Sequence, residues 1–404
     1  MKISLEEIRS AQKELAAYLP PTPLLKNSWI SEAFGCEVYL KLENMQPIGS
    51  FKIRGAFHKI LTLSKTQGKK GVVAASAGNH AQGVAWGAAR VKIPATIVMP
   101  KGATLLKVHN TRSLGAEVIL HGKTYDEAFV HAQELAKKSG RTFIHAFDDE
   151  HVIAGQGTVG LEILQQCPDV DVVIGSIGGG GLMSGVSEVL KTRKRPVKLI
   201  GCQASGSPSM IRSFKEGHAV TLESISTFAD GIAIKKTSQR MYELLKPRLD
   251  SLLEADDEAM AEAILMLMEK ASILAEPSGA LPLAILSMAR ANFIGKKVVL
   301  IVSGGNIDVN VLNRIIDRGL IRSGRRIRVN VVISDRPGSL AKLTDVLFKS
   351  EASIIQAIHD RSEPYTHLDE TEVALTLETR GQEHSQEVIQ ALKKHVSQIY
   401  IKHT

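Results

Sequence analysis

The sequence has few cysteines and few aromatic residues, and each shortage excludes a class of protein. Cys36, Cys167 and Cys202 are odd in number, far apart and in no Cys-x-x-Cys spacing. We therefore expect no disulfide framework and no structural zinc site, and a reducing, cytoplasmic location fits. Aromatic residues make up 4% of the 404 residues, and the net charge of +8 is scattered along the chain. Because nucleic-acid binding combines basic with aromatic side chains, the charge indicates attraction of a small anion rather than a nucleic-acid partner.

Long hydrophobic runs are also missing. No apolar run reaches the roughly 18 residues that a membrane span needs, and residues 1–7 (MKISLEE) lack the apolar segment of a signal peptide. We therefore expect neither a membrane span nor a secretory signal. The hydrophobic fraction of 44% is enough for a substantial core, and the length suits two or three domains.

Short apolar strands alternate with helical patterns through most of the chain, after a capping box at Ser4 that starts a first helix. Strands are predicted at 38–42, 72–75, 95–99, 117–120, 170–174, 197–202 and 298–302, and helices at 79–90, 105–114, 126–138, 153–166, 182–191, 254–274 and 280–291. This order predicts an α/β fold in which helices cover both faces of open parallel sheets. In such sheets ligands bind beyond the carboxyl ends of the strands.

The pattern changes after an Arg- and Gly-rich break at residues 319–326. Strands are predicted at 327–333, 354–359, 372–379 and 399–403, and helices at 340–349 and 383–394. The order β-α-β-β-α-β is that of a ferredoxin-like module. We therefore expect a catalytic domain over residues 1–322, with a smaller subdomain at roughly 50–150, and a separate domain over 323–404.

The hexapeptide Ser50-Phe51-Lys52-Ile53-Arg54-Gly55 follows a strand and a turn and opens a helix. Lys52 is thus expected in the first helical turn, where the positive end of the helix dipole disfavours its charge. Apolar neighbours on both sides would lower its pKa further by desolvation. A lysine with a lowered pKa is the nucleophile that condenses with carbonyls. The alternative is an ordinary solvated lysine.

Two glycine-containing segments follow strands and could bind anions through backbone N–H groups. In the first, Ser76-Ala77-Gly78-Asn79-His80 opens a helix and forms a nest for a carboxylate or phosphate, the alternative being a helix cap with a turn glycine. In the second, the strand at 170–174 leads into four consecutive glycines, residues 178–181. Because ordered glycines cost roughly 0.5–1 kcal/mol each relative to alanine, close approach to a phosphate explains them better than a turn alone. No Lys-Ser/Thr pair follows, so a Walker-type nucleotide site is excluded and a phosphate monoester is favoured.

Three further segments complete the candidate set. Ser303 ends the last strand of the α/β region, where its hydroxyl could bond a ring nitrogen without protonating it. Glu276 precedes a Pro-Ser-Gly turn and is either a residue of the ligand crevice or a helix cap. Residues 155–160 (GQGTVG) match the Gly-x-Gly-x-x-Gly fingerprint, the sequence pattern of dinucleotide-binding proteins. However, no clear strand precedes them and the expected acidic residue is absent. We interpret these glycines as helix-packing residues.

In this order the four segments around Lys52, Ser76, Gly178 and Ser303 resemble the threonine/serine dehydratase branch of the fold-type II pyridoxal-phosphate enzymes, over about residues 5–320. The resemblance implies that Lys52, next to Phe51, binds the aldehyde of pyridoxal 5'-phosphate covalently. It further implies a contact of Asn79 with the ring hydroxyl, of Ser303 with the pyridine nitrogen, and a place for Glu276 in the cofactor site. The implied phosphate ligands are Gly178, Gly179, Gly180, Gly181 and Leu182. The implied substrate-binding residues are Ser76, Ala77, Gly78, Asn79 and His80, with Gly231 in the segment 227–231 beside the substrate.

The implied reaction converts L-threonine to 2-oxobutanoate and ammonia, with L-serine as a slower substrate. Lys52 would accept the α-proton as general base, and the reaction would serve isoleucine synthesis or threonine breakdown. A serine or 3-hydroxyaspartate dehydratase with the same residues is a close alternative. Alternatives of other classes are a non-catalytic amino-acid sensor and, on residues 155–160 alone, an NAD-dependent oxidoreductase.

Two departures from the family pattern limit the activity that the resemblance implies. Racemising relatives carry a second serine where this chain has Ala77, so racemase activity is not expected. Relatives that bind a divalent metal carry a carboxylate where this chain has Gln203, and another is missing around Ser209. Because an amide is a poor ligand for hard cations, no metal requirement is expected.

The C-terminal module resembles an ACT domain, on the segment Arg336-Pro337-Gly338-Ser339-Leu340 between its first strand and first helix. This implies binding of an amino-acid effector, isoleucine or valine, at a paired-domain interface in a homo-oligomer, expected to be a tetramer. The alternative is a module that only mediates oligomerisation.

Overall fold

The computed structural model describes residues 3–361 and 367–401, and internal contacts divide the chain into two units, Met1–Ile307 and Asp308–Thr404. The elements of the first unit, in chain order, are α1 (Leu5–Leu15), β1 (Leu24–Lys26), α2 (Ser28–Phe34), β2 (Glu37–Leu42), α3 (Lys52–Leu61), α4 (Lys65–Lys70), β3 (Val72–Ala75), α5 (Asn79–Arg90), β4 (Ala95–Met99), α6 (Leu105–Ser113), β5 (Glu117–Leu120), α7 (Tyr125–Ser139), β6 (Thr142–Phe143), α8 (Glu150–Gln166), β7 (Val172–Ser176), α9 (Gly181–Leu190), β8 (Lys198–Ala204), α10 (Ser209–Glu216), α11 (Gln239–Leu245), β9 (Ser251–Ala255), α12 (Asp257–Ala271), α13 (Pro277–Met288) and β10 (Lys297–Val302).

Two sheets organise the first unit. The larger has the order β1-β2-β10-β7-β8-β9, and the smaller has the order β5-β4-β3-β6. Every pairing is parallel except that of β1, which lies antiparallel on β2 at one edge. The inner strands β3, β4 and β10 are buried and largely apolar, except for the half-buried Lys297 at the start of β10, as parallel strands covered on both faces require. The predicted α/β fold is therefore confirmed, with one antiparallel edge strand that the sequence did not reveal.

The fingerprint-like glycines lie inside α8, in its buried middle. A methyl group on Gly155 would lie 2.6 Å from the carbonyl oxygen of Arg54 in α3, and one on Gly160 would lie 3.2 Å from Cα of Val186 in α9. The glycines thus let α8 pack directly against the backbones of its neighbours. Because these residues are helical, they form no phosphate-binding turn, and the dinucleotide alternative loses its only support.

One predicted helix was placed wrongly at its start. The pattern at 254–274 predicted a continuous helix, but Ser251–Ala255 forms β9, which pairs with β8 at the sheet edge. The helix α12 then begins after Asp256, whose side chain accepts a hydrogen bond from the backbone of Ala259 at 2.8 Å. An N-cap aspartate between two apolar runs separates a strand from a helix, and this signal was in the sequence.

The second unit begins with α14 (Val309–Arg322) and continues with β11 (Arg326–Ser334), α15 (Ser339–Lys349), β12 (Ser353–Asp360), β13 (Glu370–Glu378), α16 (Gln382–Lys393) and β14 (Gln398–Ile401). Its antiparallel sheet has the order β12-β13-β11-β14, which is the predicted ferredoxin-like topology. Of the predicted last strand, Lys402 and His403 lie outside the described residues. Asp317 of α14 bonds Arg328 at 2.6 Å, so this helix belongs with the sheet that follows it.

In the part of the chain that the structure describes, no helix combines the length and the hydropathy needed to cross a bilayer.

Replacing Gly155 with alanine is expected to destabilise the first unit by about 1–3 kcal/mol, because the added methyl group must push α3 and α8 apart. Urea unfolding of the full chain measures this change. Gly102→Ala is the matched control, because Gly102 has no atom within 4 Å of the added carbon and an unstrained backbone, and it is expected to alter stability by no more than about 0.5 kcal/mol. Equal stability of the two variants would contradict the packing role.

Candidate active site

The start of α3 is fixed by the chain segment after β10. Ser50 pairs with Gly304 in an isolated antiparallel bridge, and the backbone N–H of Phe51 donates to the carbonyl oxygen of Ser303 at 3.0 Å. No side chain caps the helix, so these backbone contacts hold its first turn in place. Lys52 therefore begins α3 at the carboxyl end of β10, where parallel sheets bind ligands.

The amine of Lys52 is held in an environment that favours its neutral form. Its Nζ donates to the carbonyl oxygen of Ala146 at 3.1 Å and lies 5.2 Å from the ring centre of Phe51. Desolvation lowers the pKa of Lys52 to about 8, and the negative charge of Glu276 opposes this shift. The position in the first turn and the lowered pKa are those expected from the sequence.

Glu276 is buried, and its carboxylate accepts three hydrogen bonds from two side chains. Its carboxylate accepts hydrogen bonds from Nδ2 of Asn79 at 2.9 and 3.0 Å and from the hydroxyl of Ser278 at 2.5 Å. Burial raises the pKa of Glu276, whereas these donors and the nearby Lys52 lower it. The carboxylate is not a helix cap, because it makes no capping bond to α13. It therefore belongs to the same site as Lys52.

Asn306 is a site residue to which the sequence assigned no role. Its Nδ2 donates to Oδ1 of Asn79 and to the carbonyl oxygen of Ile48, both at 2.8 Å. Since Nδ2 of Asn79 donates to Glu276, the amide of Asn79 is fixed on both sides. The position of Asn306 directly after Ser303-Gly304-Gly305 was the only signal that could have pointed to it.

The turn between β3 and α5 contains the predicted nest. The backbone N–H of Gly78 donates to the hydroxyl of Ser76 at 3.1 Å, and α5 begins at Asn79 without a side-chain cap. The ring of His80 points into the protein, where Nε2 lies 2.9 Å from the carbonyl oxygen of Ile144. Desolvation, with Lys52 adding to it, lowers the pKa of His80 to about 3. The ring is therefore neutral, and any anion bound at this turn meets N–H groups and a hydroxyl rather than an imidazolium ion.

The glycine loop lies between β7 and α9. Within the described residues, no protein acceptor meets the N–H groups of residues 178–182. Gly180 has φ +99°, and a methyl group on Gly179 would overlap the ring of Phe147. Residues 180–182 are buried and 178–179 half-buried. Since N–H groups without a partner are rare inside proteins, this loop offers a row of donors to an anion. Phe147 follows Ala146, the residue that Lys52 contacts, so the loop and the lysine border the same cleft.

Gly231 closes another side of this cleft. A methyl group on it would lie 3.1 Å from Oε1 of Glu276, and its carbonyl oxygen would lie 3.2 Å from a methyl group on Gly178. The segment before it is anchored by Asp257, which accepts from the hydroxyl of Thr227 at 2.6 Å. Asp230 forms an ion pair with Lys107 of α6 at 2.7 Å.

Gln203, the residue expected to replace a metal ligand, is buried, and its amide is fully engaged. Its Oε1 accepts from the backbone N–H groups of Met210 and Ile211, both at 2.9 Å, and its Nε2 donates to the carbonyl oxygen of Ile177 at 3.2 Å. The amide thus links α10 to the residue before the glycine loop. The expectation of no metal requirement stays a prediction.

The remaining predicted residues, Arg336, Pro337, Gly338, Ser339 and Leu340, lie in the second unit. Arg336, Pro337 and Gly338 lie in the turn between β11 and α15, where Gly338 has φ +90°, and Ser339 and Leu340 are the first two residues of α15. Among residues 3–361 and 367–401, no atom lies within 4 Å of a methyl group placed on Gly338.

Comparison with known proteins places this arrangement in a family. Residues 4–304 match the family described as "Pyridoxal-phosphate dependent enzyme". The L-threonine ammonia-lyase of Thermotoga maritima is 46% identical over 390 residues, which cover 96% of this chain and 97% of that protein. Because this relative extends over both units, the similarity is not confined to the cleft.

Solved structures agree with the sequence comparison. The processed threonine deaminase isoform 2 of Solanum lycopersicum superposes with a TM-score of 0.73 at 35% identity, covering 78% of this chain and 95% of that one. Maize serine racemase superposes with a TM-score of 0.75 at 33% identity, covering 80% and 99%. The chain therefore belongs to the pyridoxal-phosphate dependent enzymes and, among them, to the L-threonine ammonia-lyase family.

Proposed function

We propose that the protein deaminates L-threonine to 2-oxobutanoate and ammonia, with L-serine as a secondary substrate. The observation that carries the proposal is the amine of Lys52, with a pKa lowered to about 8, in the same cleft as the unpaired N–H groups of residues 178–182. A reactive amine and a phosphate cradle are the two groups that a pyridoxal-phosphate site needs. The similarity to L-threonine ammonia-lyase along almost the whole chain supports the choice of substrate.

The residues of the cleft fit pyridoxal 5'-phosphate. Lys52 would hold its aldehyde, and Gly178, Gly179, Gly180, Gly181 and Leu182 would hold its phosphate at the N-terminus of α9. Ser303, the residue after β10, would bond the ring nitrogen through its hydroxyl and so would not force a proton onto that nitrogen. Phe51, Asn79 and Glu276 would complete the ring site. When bound, the cofactor withdraws electrons from the α-carbon of an amino acid.

The protein's own residues then act on the substrate. The N–H groups and the Ser76 hydroxyl of the turn at Ser76, Ala77, Gly78, Asn79 and His80 would bind the α-carboxylate, with Gly231, which packs against Glu276 and Ser278, beside the substrate. When the substrate amine takes the place of the lysine amine, Nζ of Lys52 is free and would accept the α-proton. A lysine with this pKa is partly unprotonated at neutral pH. Loss of the β-hydroxyl and hydrolysis then give the oxo acid and ammonia. Ala77 carries no proton donor, which supports elimination over racemisation.

The closest alternatives are a serine and a 3-hydroxyaspartate dehydratase with the same machinery. The ratio of kcat/KM for threonine, serine and 3-hydroxyaspartate distinguishes them, since one methyl group is worth about 1–3 kcal/mol in an apolar pocket. A non-catalytic amino-acid sensor would need neither the amine of Lys52 nor the unpaired donors of the glycine loop. We therefore favour the enzyme.

The second unit supports a proposal of regulation. We infer that it is an ACT domain in which Arg336, Pro337, Gly338, Ser339 and Leu340 bind isoleucine or valine. All eight residues of β12 are exposed in the single chain, Ile354, Ile355 and Ile358 among them. Such an edge strand favours assembly of copies into a homo-oligomer, and we propose a tetramer.

The three unpaired cysteines agree with a cytoplasmic location.

Lys52→Ala is expected to lose the visible absorbance of the lysine-linked cofactor and to lower turnover of L-threonine by at least about a thousandfold, because the amine both binds the cofactor and moves the proton. Spectrophotometry and a 2-oxobutanoate assay measure the two effects. Lys13→Ala, at an exposed lysine in the last turn of α1, is the control and should leave both unchanged. Full activity of Lys52→Ala would reject the assignment.

In the full chain without cofactor, Lys52 is expected to condense with a small aldehyde such as propanal. The rate of condensation plotted against pH should have its inflection near pH 8, about 2.5 pH units below that of an ordinary lysine. Glu276→Gln removes the charge that favours the ammonium form, so the inflection should move to lower pH. Cyanoborohydride reduction and peptide mass spectrometry between about pH 6 and 10 measure it, with the Lys13 peptide as internal reference. An unchanged inflection in Glu276→Gln would contradict the coupling.

Gly338→Val is expected to abolish the response of threonine turnover to isoleucine or valine while turnover without effector is retained, because φ +90° is strained for a β-branched residue. Initial rates with and without effector measure this. Gly217→Val introduces similar strain at φ +81° in the first unit and should leave the response intact. A normal response in Gly338→Val would remove this turn from the proposed effector site.

A further inference from the structure

Four charged side chains are buried together behind the cleft. They are Lys41 at the end of β2, Glu43 just after it, Arg54 in α3 and Glu162 in α8, and none is more than 3% exposed. The two positive and two negative charges balance. None of the four belongs to the cofactor or substrate site proposed above, yet Arg54 lies only two residues after Lys52.

Arg54 holds both carboxylates through paired hydrogen bonds. Its Nε and Nη2 donate to the two oxygens of Glu43 at 2.7 and 2.8 Å, and its Nη1 and Nη2 donate to the two oxygens of Glu162 at 2.5 and 2.8 Å. These neighbours raise the pKa of Arg54 and lower that of Glu43, so both remain charged. The planar guanidinium group therefore fixes the direction of its own side chain relative to β2 and α8.

The rest of the network satisfies the remaining polar atoms. Nζ of Lys41 donates to Oε2 of Glu162 at 2.5 Å, to the carbonyl oxygen of Thr22 at 2.7 Å and to Oε1 of Gln166 at 2.9 Å. The hydroxyl of Thr22 donates to Oε1 of Glu43 at 2.6 Å. Removing one charge would leave its partner buried and unpaired, but replacing all four by apolar side chains is often neutral for stability. Stability alone does not account for this network.

The packing of α3 shows what the network controls. Its first turn has no side-chain cap, and it crosses α8 where Gly55 meets Gly155. At this crossing the backbone N–H of Gly55 donates to Oε1 of Gln156 at 3.3 Å, and Arg54 supplies the charged side chain that α3 extends towards α8. In a helix with 3.6 residues per turn, residues two apart point to nearly opposite sides. Lys52 accordingly faces the cleft while Arg54 faces the interior, and a rotation or shift of α3 that moved one would move the other.

We propose that Arg54 is a positioning residue for Lys52: the backbone contacts of Ser50 and Phe51 anchor the start of α3, and the paired bonds of Arg54 to Glu43 and Glu162 fix the rotation of its first turn about the helix axis, and thereby the direction of the lysine amine. This inference rests on the proposed role of Lys52. It assigns no chemical step to Arg54, which touches neither substrate nor cofactor.

The test compares full-length, cofactor-loaded variants. Arg54→Lys keeps the charge but cannot form both paired sets, and it is expected to lower kcat about 5–20-fold with KM changed less than about threefold, since small misplacements of reacting groups cost up to about a hundredfold. Circular dichroism of the visible cofactor band, which depends on how the lysine-linked ring is oriented, is expected to change as well. Arg54→Met should lower kcat further.

Two variants separate positioning from simple loss of stability. Arg248→Met breaks the half-buried ion pair between Arg248 and Glu188, both of which are distant in sequence from Arg54. It should lower the urea midpoint of unfolding without altering the visible dichroism or kcat. The quadruple variant Lys41→Met/Glu43→Leu/Arg54→Met/Glu162→Leu leaves no unpaired charge and should fold, yet show the altered dichroism and the low kcat.

A folded Arg54→Lys or quadruple variant with the dichroism and kcat of the parent chain would overturn the proposal. Failure of the proposed function looks different, because the parent chain itself would then show no visible band, and borohydride reduction would leave Lys52 unmodified in its peptide mass.

Discussion

The backbone contact between the start of α3 and the end of β10 is the constraint on which the site depends. Ser50 and Phe51 are joined to Ser303 and Gly304 by an isolated bridge and a hydrogen bond of 3.0 Å, although about 250 residues separate them in the chain. Because this contact uses backbone atoms, it is insensitive to the side chains nearby. It places Lys52 at the carboxyl ends of the strands, where the other candidate residues converge.

Opposing effects set the pKa values of Lys52 and Glu276 in the cleft. Burial lowers the pKa of Lys52 and raises that of Glu276, so it favours the neutral form of each. The charge of Glu276 raises the pKa of Lys52, and the charge of Lys52 lowers that of Glu276, so each group partly offsets the effect of burial on the other. Asn79 and Ser278 stabilise the carboxylate, and Asn306 fixes the amide of Asn79. A lysine that must alternate between holding an aldehyde and holding a proton needs such an intermediate position, because a fully charged amine is not nucleophilic and a strongly depressed one would not keep a proton.

The sequence predicted the elements that carry the site more accurately than the contacts within it. The strand Val72–Ala75 and the helix Asn79–Arg90 agree with the structure residue for residue, because turn residues and apolar runs mark their ends locally. Two contacts were not predicted, the hydrogen bond between the His80 ring and the carbonyl oxygen of Ile144 and the one that Asn306 donates to Asn79. Both depend on partners distant in sequence. The error at β9 has another cause, since a five-residue edge strand next to a capped helix continues the helical pattern.

The hexapeptide around Lys52 shows how local and distant information combine. Lys52 could be assigned from its own neighbours, since helix position and apolar flanks lower a lysine pKa wherever they occur. Arg54, two residues on, received no role from the sequence, because its partners Glu43 and Glu162 lie in other elements and nothing local marks them. Gly55 then completes the arrangement, since its close crossing with Gly155 brings α8, and with it Glu162, within reach of the guanidinium group. Three residues within four positions thus serve chemistry, orientation and packing, and only the first of these roles is local enough to be deduced from a single sequence.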